Sequence, residues 1–163
     1  MTILEMCMWI QNTNLGTSIR ESVYTFPVLE GSHLLGISFS VGFIMVSDLR
    51  LMGWWMKNET MSSIMDRILP WSIAGFAFMT VTGVLLFISE AAKCYNSPWF
   101  RCKVVALILA GINIVAFHST IYRRMSAWDH DNPPPAGARW AGFLSLFLWA
   151  LVIAAGRTTA YNI

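Results

Sequence analysis

Charge is the first thing that this sequence lacks. Only 12% of its 163 residues are Asp, Glu, Lys or Arg, whereas 56% are hydrophobic and the mean hydropathy is +0.55. A soluble domain needs more charge than this to solvate its surface, so most of the surface is expected to face lipid. The formal net charge of +2 is also too small to indicate a nucleic-acid partner. The composition predicts an integral membrane protein whose first partner is membrane lipid.

The motifs of soluble enzymes are missing too. There is no P-loop, no nucleophile elbow, no His-Glu-x-x-His helix and no Gly-rich dinucleotide fingerprint. The three cysteines, Cys7, Cys94 and Cys102, form no Cys-x-x-Cys pair, which argues against a disulfide framework or a structural zinc site. Cys94 and Cys102 are expected to pair only if they face an oxidising compartment. The sequence gives soluble enzyme classes no support and leaves enzyme activity open.

Four apolar runs dominate what is present. They cover about residues 28–55, 71–89, 104–118 and 140–155, and each is long enough to cross a bilayer when its edges are counted. The sequence therefore predicts an all-α fold, with residues 1–163 forming a single membrane domain built as a four-transmembrane-helix bundle. Residues 1–17 precede these spans and predict a short interfacial N-terminal segment.

Prolines and capping patterns predict where the helices begin. Pro70, Pro98 and the prolines at 133–135 precede spans two, three and four, in keeping with the preference of proline for the first helical turn. The segment 18–21, Ser-Ile-Arg-Glu, has the form of a capping box and predicts an early start for span one, with a kink at Pro27. The segment 61–69 predicts a separate surface helix between spans one and two.

The two halves of the chain are weakly similar. Residues 71–76 resemble residues 139–143 at an offset of 67, and Gly42 matches Gly111 at an offset of 69. This similarity predicts two pseudo-repeated hairpins in which spans one and three run parallel. The connections after spans one and three define side A, and the two termini with the middle connection define side B. Six Lys and Arg residues on side A against five on side B favour a cytoplasmic side A and periplasmic termini.

Ionisable residues in or beside apolar runs are costly to insert, so each is a functional candidate. On side B, Glu30 and His33 have the i, i+3 spacing that places a carboxylate and an imidazole on one helix face. Together with Glu90 at the end of span two, and with Cys102 at a comparable depth as a further candidate ligand, they form a chemically plausible metal site, although ferritin-like proteins use two such motifs and this chain has one. An ion pair between Glu90 and Arg157 is the structural alternative.

On side A, Asp48 and Arg50 end span one and His118 ends span three. The offset of 69 places Asp48 level with residue 117, which allows a contact between Asp48 and His118. A carboxylate beside an imidazole suits proton exchange, or the binding of a quinone or lipid head group. A network of interfacial salt bridges is the structural alternative.

Two histidines in a four-helix bundle suggest one b-type haem between them, but their depths argue against it. By the same offset, His33 and His118 lie about 24 Å apart along parallel helices that rise 1.5 Å per residue. Two axial nitrogens on one iron are only about 4 Å apart. A haem bound by either histidine alone, or with a ligand from a partner chain, is compatible with this separation.

Other polar and aromatic residues have structural interpretations. Asn113 lies deepest in span three and, with small residues such as Gly42 and Gly111, is expected to join helices. His130 belongs to a polar segment that predicts a solvated loop. The tryptophans near span ends, including Trp128 and Trp140, are expected to form an aromatic belt.

Three segments carry a resemblance: residues 30–36, which begin Glu-Gly-Ser-His, residues 47–53 (SDLRLMG), and residues 97–118, which begin SPWFRCK and end in Phe-His. In them the chain resembles a bacterial inner-membrane family of four-helix hypothetical proteins. The resemblance covers nearly the whole chain from Glu21 and implies a multi-pass protein of the bacterial inner membrane, but no activity. Cys102 departs from the pattern, where an apolar residue is expected. The resemblance supports these candidate cofactor-binding residues without assigning roles: His33, Asp48, Arg50, Arg101, Lys103 and His118.

The leading functional interpretation is a small membrane subunit or anchor of a redox complex. It would hold a haem, a quinone or a metal ion at one membrane face and associate with other membrane subunits or with itself. The alternative is a small transporter or proton-coupled channel that uses the two polar clusters as the ends of one path. A structural assembly protein is the third interpretation.

Overall fold

The structure is a computed structural model that describes residues 2–161. Within that range the chain forms seven α-helices: α1 (Ile3–Gln11), α2 (Asn14–Glu21), α3 (Thr25–Leu51), α4 (Met61–Ser89), α5 (Ala91–Asn96), α6 (Pro98–Thr120) and α7 (Ala136–Tyr161). A 3-10 helix, Tyr122–Ala127, follows α6. Helices α3, α4, α6 and α7 are long and apolar enough to cross a membrane. The predicted all-α, four-transmembrane-helix fold is confirmed.

The ends of the spanning helices differ from the ends of the apolar runs. Helix α3 stops at Leu51, before the end of its run, because Gly53 follows with a left-handed φ of +74°. A glycine just past the end of a helix takes this conformation without steric cost. Helices α6 and α7 extend beyond their runs at both ends, and α4 begins before its run. Apolar runs therefore locate the membrane spans, while local backbone chemistry sets the helix ends.

Two predicted helix starts are wrong. Residues 18–21 do not cap the first span, because they lie inside α2, whose cap is Thr13 with its side chain accepting from the N–H of Gly16. Residues 61–69 are not a separate helix, since they form the first turns of α4, which Thr60 caps and which continues through Pro70. The expectation for Pro98 is confirmed, because it occupies the first turn of α6.

The spanning helices pack as two hairpins, α3 with α4 and α6 with α7, and the hairpins meet along α3 and α7. Helix α3 therefore lies between α4 and α7. Glycines allow this close packing. A Cβ on Gly75 of α4 would lie 3.1 Å from the Cβ of Ser40, and a Cβ on Gly142 of α7 would lie 2.8 Å from the carbonyl oxygen of Asp48.

The similarity between the two halves does not extend to their contacts. Gly75 packs against α3, its own hairpin partner, whereas the matching Gly142 packs most closely on α3 of the other hairpin. Gly42 and Gly111 also match in sequence, and a Cβ on either would meet nothing within 4 Å. The hairpins are thus alike in connectivity, while the contact between them is asymmetric.

The N-terminal helices pack against side B of the bundle. Helix α1 lies against α5, and α2 lies against α4 and α3. The Gln11 side chain accepts from the N–H of Ala92 at 2.9 Å, and Arg20 donates to the carbonyl oxygens of Gln11 and Ser89 at 3.3 and 3.4 Å. Large apolar side chains nevertheless point outward, such as Trp9, which is 68% exposed. The N-terminal segment therefore combines a fixed position with an apolar outer surface, in keeping with an interfacial location.

Side A is closed by a small core beneath its two loops. This core consists of Leu51, Met61, Met65, Phe117, Trp128 and Ala138. Trp128 is buried and its indole N–H donates to the carbonyl oxygen of Ile121 at 3.3 Å, so this tryptophan does not belong to the predicted aromatic belt. Asp129 accepts from the backbone N–H and hydroxyl of Ser62 at 2.8 and 2.5 Å. These hydrogen bonds tie the second loop to the start of α4.

Candidate functional site

His118 lies near the side A end of α6 and faces away from the bundle. Its Nδ1 is 3.1 Å from the carbonyl oxygen of Ile114, one turn earlier. A carbonyl can only accept, so Nδ1 carries the proton, and in the neutral ring the lone pair is on Nε2. The ring also stacks on Tyr122, with centroids 4.7 Å apart. The Ile114 carbonyl and the Tyr122 ring therefore hold the His118 ring in one orientation, in which Nε2 carries the lone pair.

An open groove surrounds His118 on the outer surface of α6. Its volume is about 510 Å³, and it is lined by Ile114, Val115, His118, Ser119 and Arg123. Ile114 and Val115 are 51% and 65% exposed, so the groove floor is apolar up to the imidazole. Arg123 supplies a positive charge on the side A rim. The groove thus offers an apolar face, one nitrogen ligand and one cation.

A second concavity opens between α6 and α7, on a neighbouring face of the same helix end. This crevice has a volume of about 330 Å³ and is lined by Asn113, Ala116, Phe117, Thr120, Ile121, Gly137, Trp140, Ala141, Phe143 and Leu144. Asn113 Nδ2 donates to the carbonyl oxygen of Ala141 at 3.0 Å. The expected role of Asn113 in joining helices is therefore observed. Trp140 and Phe143 belong to the segment 139–143 that resembles residues 71–76, but nothing in that similarity predicted a crevice.

Asp48 is the most deeply enclosed carboxylate of the side A candidates. It is 5% exposed and lies against α7, where the hydroxyl of Ser145 faces the carboxyl group. Among the side chains that the structure describes, none forms a hydrogen bond with its Oδ2 atom. The ion pairs and hydrogen bonds of residues 2–161 do not join Asp48 to His118. The contact that the sequence allowed is therefore not made, because Asp48 faces α7 and His118 faces outward.

Arg50 is also buried but points to a different neighbour. It is 2% exposed, and its Nε donates to the carbonyl oxygen of Glu59 at 2.9 Å, while Nη1 finds no partner within residues 2–161. Residues two apart on a helix do not face each other, so Asp48 and Arg50 do not form one pocket. Arg50 holds the first side A loop against the end of α3.

His33 lies near side B, within the interface between α3 and α4. Its Nδ1 is 2.9 Å from Thr82 Oγ1, and that hydroxyl donates to the carbonyl oxygens of Phe78 and Met79 at 3.0 and 3.1 Å. His33 is therefore the donor to Thr82. A Cβ on Gly83 would lie 3.0 Å from His33 Cε1, so the ring packs directly on the α4 backbone. His33 joins two helices, at the opposite end of the bundle from His118.

The three residues of the predicted metal site are not gathered. In the part of the chain that the structure describes, no group of three His, Cys, Asp or Glu side chains is placed to hold a metal ion. Glu90 Oε2 lies 3.6 Å from Lys93 Nζ, and Glu30 is half-buried on α3. The alternative ion pair is not formed either, since Arg157 donates to the hydroxyl of Tyr161 and lies over its ring.

The two basic candidates on α6 have different surroundings. Arg101 is exposed, donates to the carbonyl oxygen of Tyr95 at 3.1 and 3.3 Å, and stacks over the Tyr95 ring at 5.3 Å. Lys103 is half-buried, and a Cβ on Gly156 would lie 3.6 Å from its Nζ. Arg101 therefore fixes α5 against α6, whereas Lys103 extends toward α7.

The cysteines are all free thiols. Burial raises the pKa of Cys94 to about 11, and the neighbouring Glu90 carboxylate raises it further, against smaller opposing effects of Lys103 and Lys93. A free thiol with a pKa raised in this way is protonated at neutral pH and is a poor nucleophile.

His130 is exposed in the loop before the proline run, as the solvated-loop interpretation predicts. Sequence reasoning missed the crevice between α6 and α7 and the position of Ser145 beside Asp48. No local pattern could have found them, because each depends on which helix faces α7.

Comparison with known proteins identifies a family for this chain, but that family has no known function. Neither the curated proteins nor the solved structures contain a match to this chain. One family model, described as a family of unknown function (DUF6644), matches residues 9–162. That range includes every candidate residue discussed above and all four spanning helices. The chain belongs to the DUF6644 family of unknown function.

Proposed function

We propose that the protein is a small membrane subunit or anchor of a redox complex, and that it holds a b-type haem on the outer face of α6. The observation that carries this proposal is the orientation of His118. Its Nδ1–H is bound to the Ile114 carbonyl, so Nε2 carries the lone pair, and the residue lines the open groove on α6. A haem-ligating histidine has this arrangement, with the second ring nitrogen held by a carbonyl that sets tautomer and orientation.

The surroundings of His118 supply the other contacts that a haem needs. Ile114 and Val115 present apolar side chains to the plane of a macrocycle, and Arg123 lies at the rim, where a propionate would reach water. The bound group would supply one-electron transfer at side A. His118 would be the one haem ligand from this chain, and a second ligand would come from a partner subunit.

An absorption spectrum of the purified protein tests this proposal. The protein is produced together with its genomic neighbours, purified in detergent and examined for a Soret band and for haem by pyridine haemochrome. Wild type is expected to carry haem, and the haem content of His118→Ala is expected to be at least ten-fold lower. Two matched variants, His130→Ala in the exposed loop and His33→Ala in the α3–α4 interface, are expected to keep it. A wild type without a Soret band, or His118→Ala with full haem content, contradicts the proposal.

A second candidate function is a small proton-coupled transporter, and one observation favours it. Asp48 is a buried carboxylate beside the spanning helix α7, and one of its oxygens has no hydrogen-bond partner among residues 2–161. Buried carboxylates of this kind carry protons in transporters and pumps. Proton flux into proteoliposomes that disappears in Asp48→Asn and persists in His118→Ala would favour this function over haem binding.

A further inference from the structure

We infer that the crevice between α6 and α7 binds the ring of a lipid-soluble quinone. This goes beyond haem binding at His118, since the crevice uses different residues and lies on another face of α6. The first argument is its location. Both walls are membrane-spanning helices, so a ligand enters from the hydrocarbon layer, where lipid-soluble molecules are concentrated.

The second argument is the lining of the crevice. Its volume of about 330 Å³ falls at the small end of the range usual for ligand pockets, roughly 300–1,000 Å³. Three of its ten lining residues are aromatic, Phe117 on α6 and Trp140 and Phe143 on α7. The rings of Trp140 and Phe143 are 5.9 Å apart and perpendicular, and 70% and 50% of these residues is exposed. Exposed rings at this position can pack against a flat ring by offset or edge contacts.

The third argument is the presence of polar groups in a mostly apolar slot. Asn113 lies about 10 Å below the side A end of α6, at 1.5 Å per residue, and is half-buried. One N–H of its Nδ2 is donated to the Ala141 carbonyl, which leaves the second N–H as a donor and Oδ1 as an acceptor. Trp140 has an indole N–H that can donate to a ring carbonyl. A lipid acyl chain cannot form a hydrogen bond with either group, whereas the oxygens at the two ends of a quinone or quinol ring can.

The polar groups of the crevice can serve both redox forms. The Asn113 amide can accept from a quinol hydroxyl through Oδ1 or donate to a quinone carbonyl through its second N–H, and the Trp140 N–H can donate to an oxygen of either form. Asn113→Leu removes the amide together with its hydrogen bond to Ala141, so it is expected to weaken the binding of both forms.

Equilibrium binding to the purified protein in nanodiscs of a single phospholipid tests this inference. The probe is a benzoquinone with a ten-carbon tail, measured in its oxidised form and in its reduced form under anaerobic conditions. Ala116→Trp fills the crevice and is expected to raise Kd at least ten-fold for both forms. Its matched control is Ala154→Trp on the exposed part of α7, which is expected to leave Kd unchanged.

Three results would overturn the inference. They are equal Kd values for wild type and Ala116→Trp, absence of saturable binding, and equal competition by a ten-carbon alkane without a ring, which would indicate a hydrocarbon slot. None of these measurements uses haem, so a protein without a Soret band that still binds the quinol separates failure of the haem proposal from failure of this one.

Discussion

Helices α3 and α6 run parallel through the bundle, yet they place their polar side chains in opposite ways. Helix α3 lies between α4 and α7 and turns His33, Asp48 and Arg50 into the protein. Helix α6 packs on α7 and turns His118 outward, beside a groove. His33 and Arg50 on α3 hold helices and loops together, whereas His118 on the surface of α6 is available to a ligand. The haem proposal follows from this difference.

The largest expected effect comes from adding a methyl group where α7 packs on the enclosed helix α3, compared with adding one on the uncovered surface of α6. Gly142→Ala on α7 places a Cβ 2.8 Å from the carbonyl oxygen of Asp48 in α3, so the helices must separate. We expect a loss of about 1–3 kcal/mol in the free energy of unfolding, as for other overpacked cores. Gly111→Ala on the outer side of α6 is the matched control, since its Cβ meets nothing within 4 Å.

Unfolding of both glycine variants in mixed detergent micelles, followed by circular dichroism, provides the measurement. Gly111→Ala is expected to match wild type or to gain stability, because alanine favours helix over glycine. Equal stability of the two variants would mean that α3 and α7 do not pack as described.

A smaller effect is expected at the side A loop that ties α6 and α7 to the start of α4. Asp129→Ala removes the acceptor of the Ser62 N–H, and the loss of such a helix-start contact costs about 0.5–2 kcal/mol. Burial is the largest single effect on the pKa of Asp129 and raises it, but the hydrogen bonds from Ser62 and Met61 and the nearby His130 together outweigh burial and hold the pKa below its ordinary value of 3.8. This stabilisation is therefore complete above about pH 4 and is lost as pH falls through the lowered pKa.

Unfolding of wild type and Asp129→Ala between pH 3 and pH 7 (roughly the range that brackets the carboxyl titration) measures this contribution. The difference between them is expected to shrink toward low pH. Asp131→Ala serves as the control, because Asp131 is exposed in the same loop. A constant difference across the range would show that the Asp129 carboxylate does not act through its charge.

The smallest effect is expected at the hydrogen bond between α3 and α4. Thr82→Val keeps the shape of the side chain and removes the acceptor for His33 Nδ1–H. Interhelical hydrogen bonds in membranes contribute about 0.6 kcal/mol on average, so a loss of this size is expected in the same unfolding assay. Thr80→Val on the exposed side of α4 is the control, since within residues 2–161 the Thr80 hydroxyl donates only to the carbonyl of Phe76. An equal loss in both variants would show that His33 contributes nothing at this interface.

Much of the fold could be predicted from the sequence, and little of the candidate site could. Apolar runs located the four spans because lipid imposes length and composition on each helix independently of its neighbours. Helix ends were less predictable, since the patterns at 18–21 and 61–69 suit a helix start or a helix interior equally well. His118 and Asp48 were correctly placed on side A, but their contact was not made, because depth along a helix says nothing about the direction of a side chain.

Sequence alone determined the four spans, the connection of the helices into hairpins, and the two ends at which ionisable residues lie. It could do so because burial in lipid is a property of each segment taken singly. The tertiary structure decided which helix lies inside, which faces of α6 stay uncovered, and that a crevice forms beside Asn113. Those features arise from packing between distant segments, such as the close approach of Gly142 to α3, and packing is a property of pairs of helices.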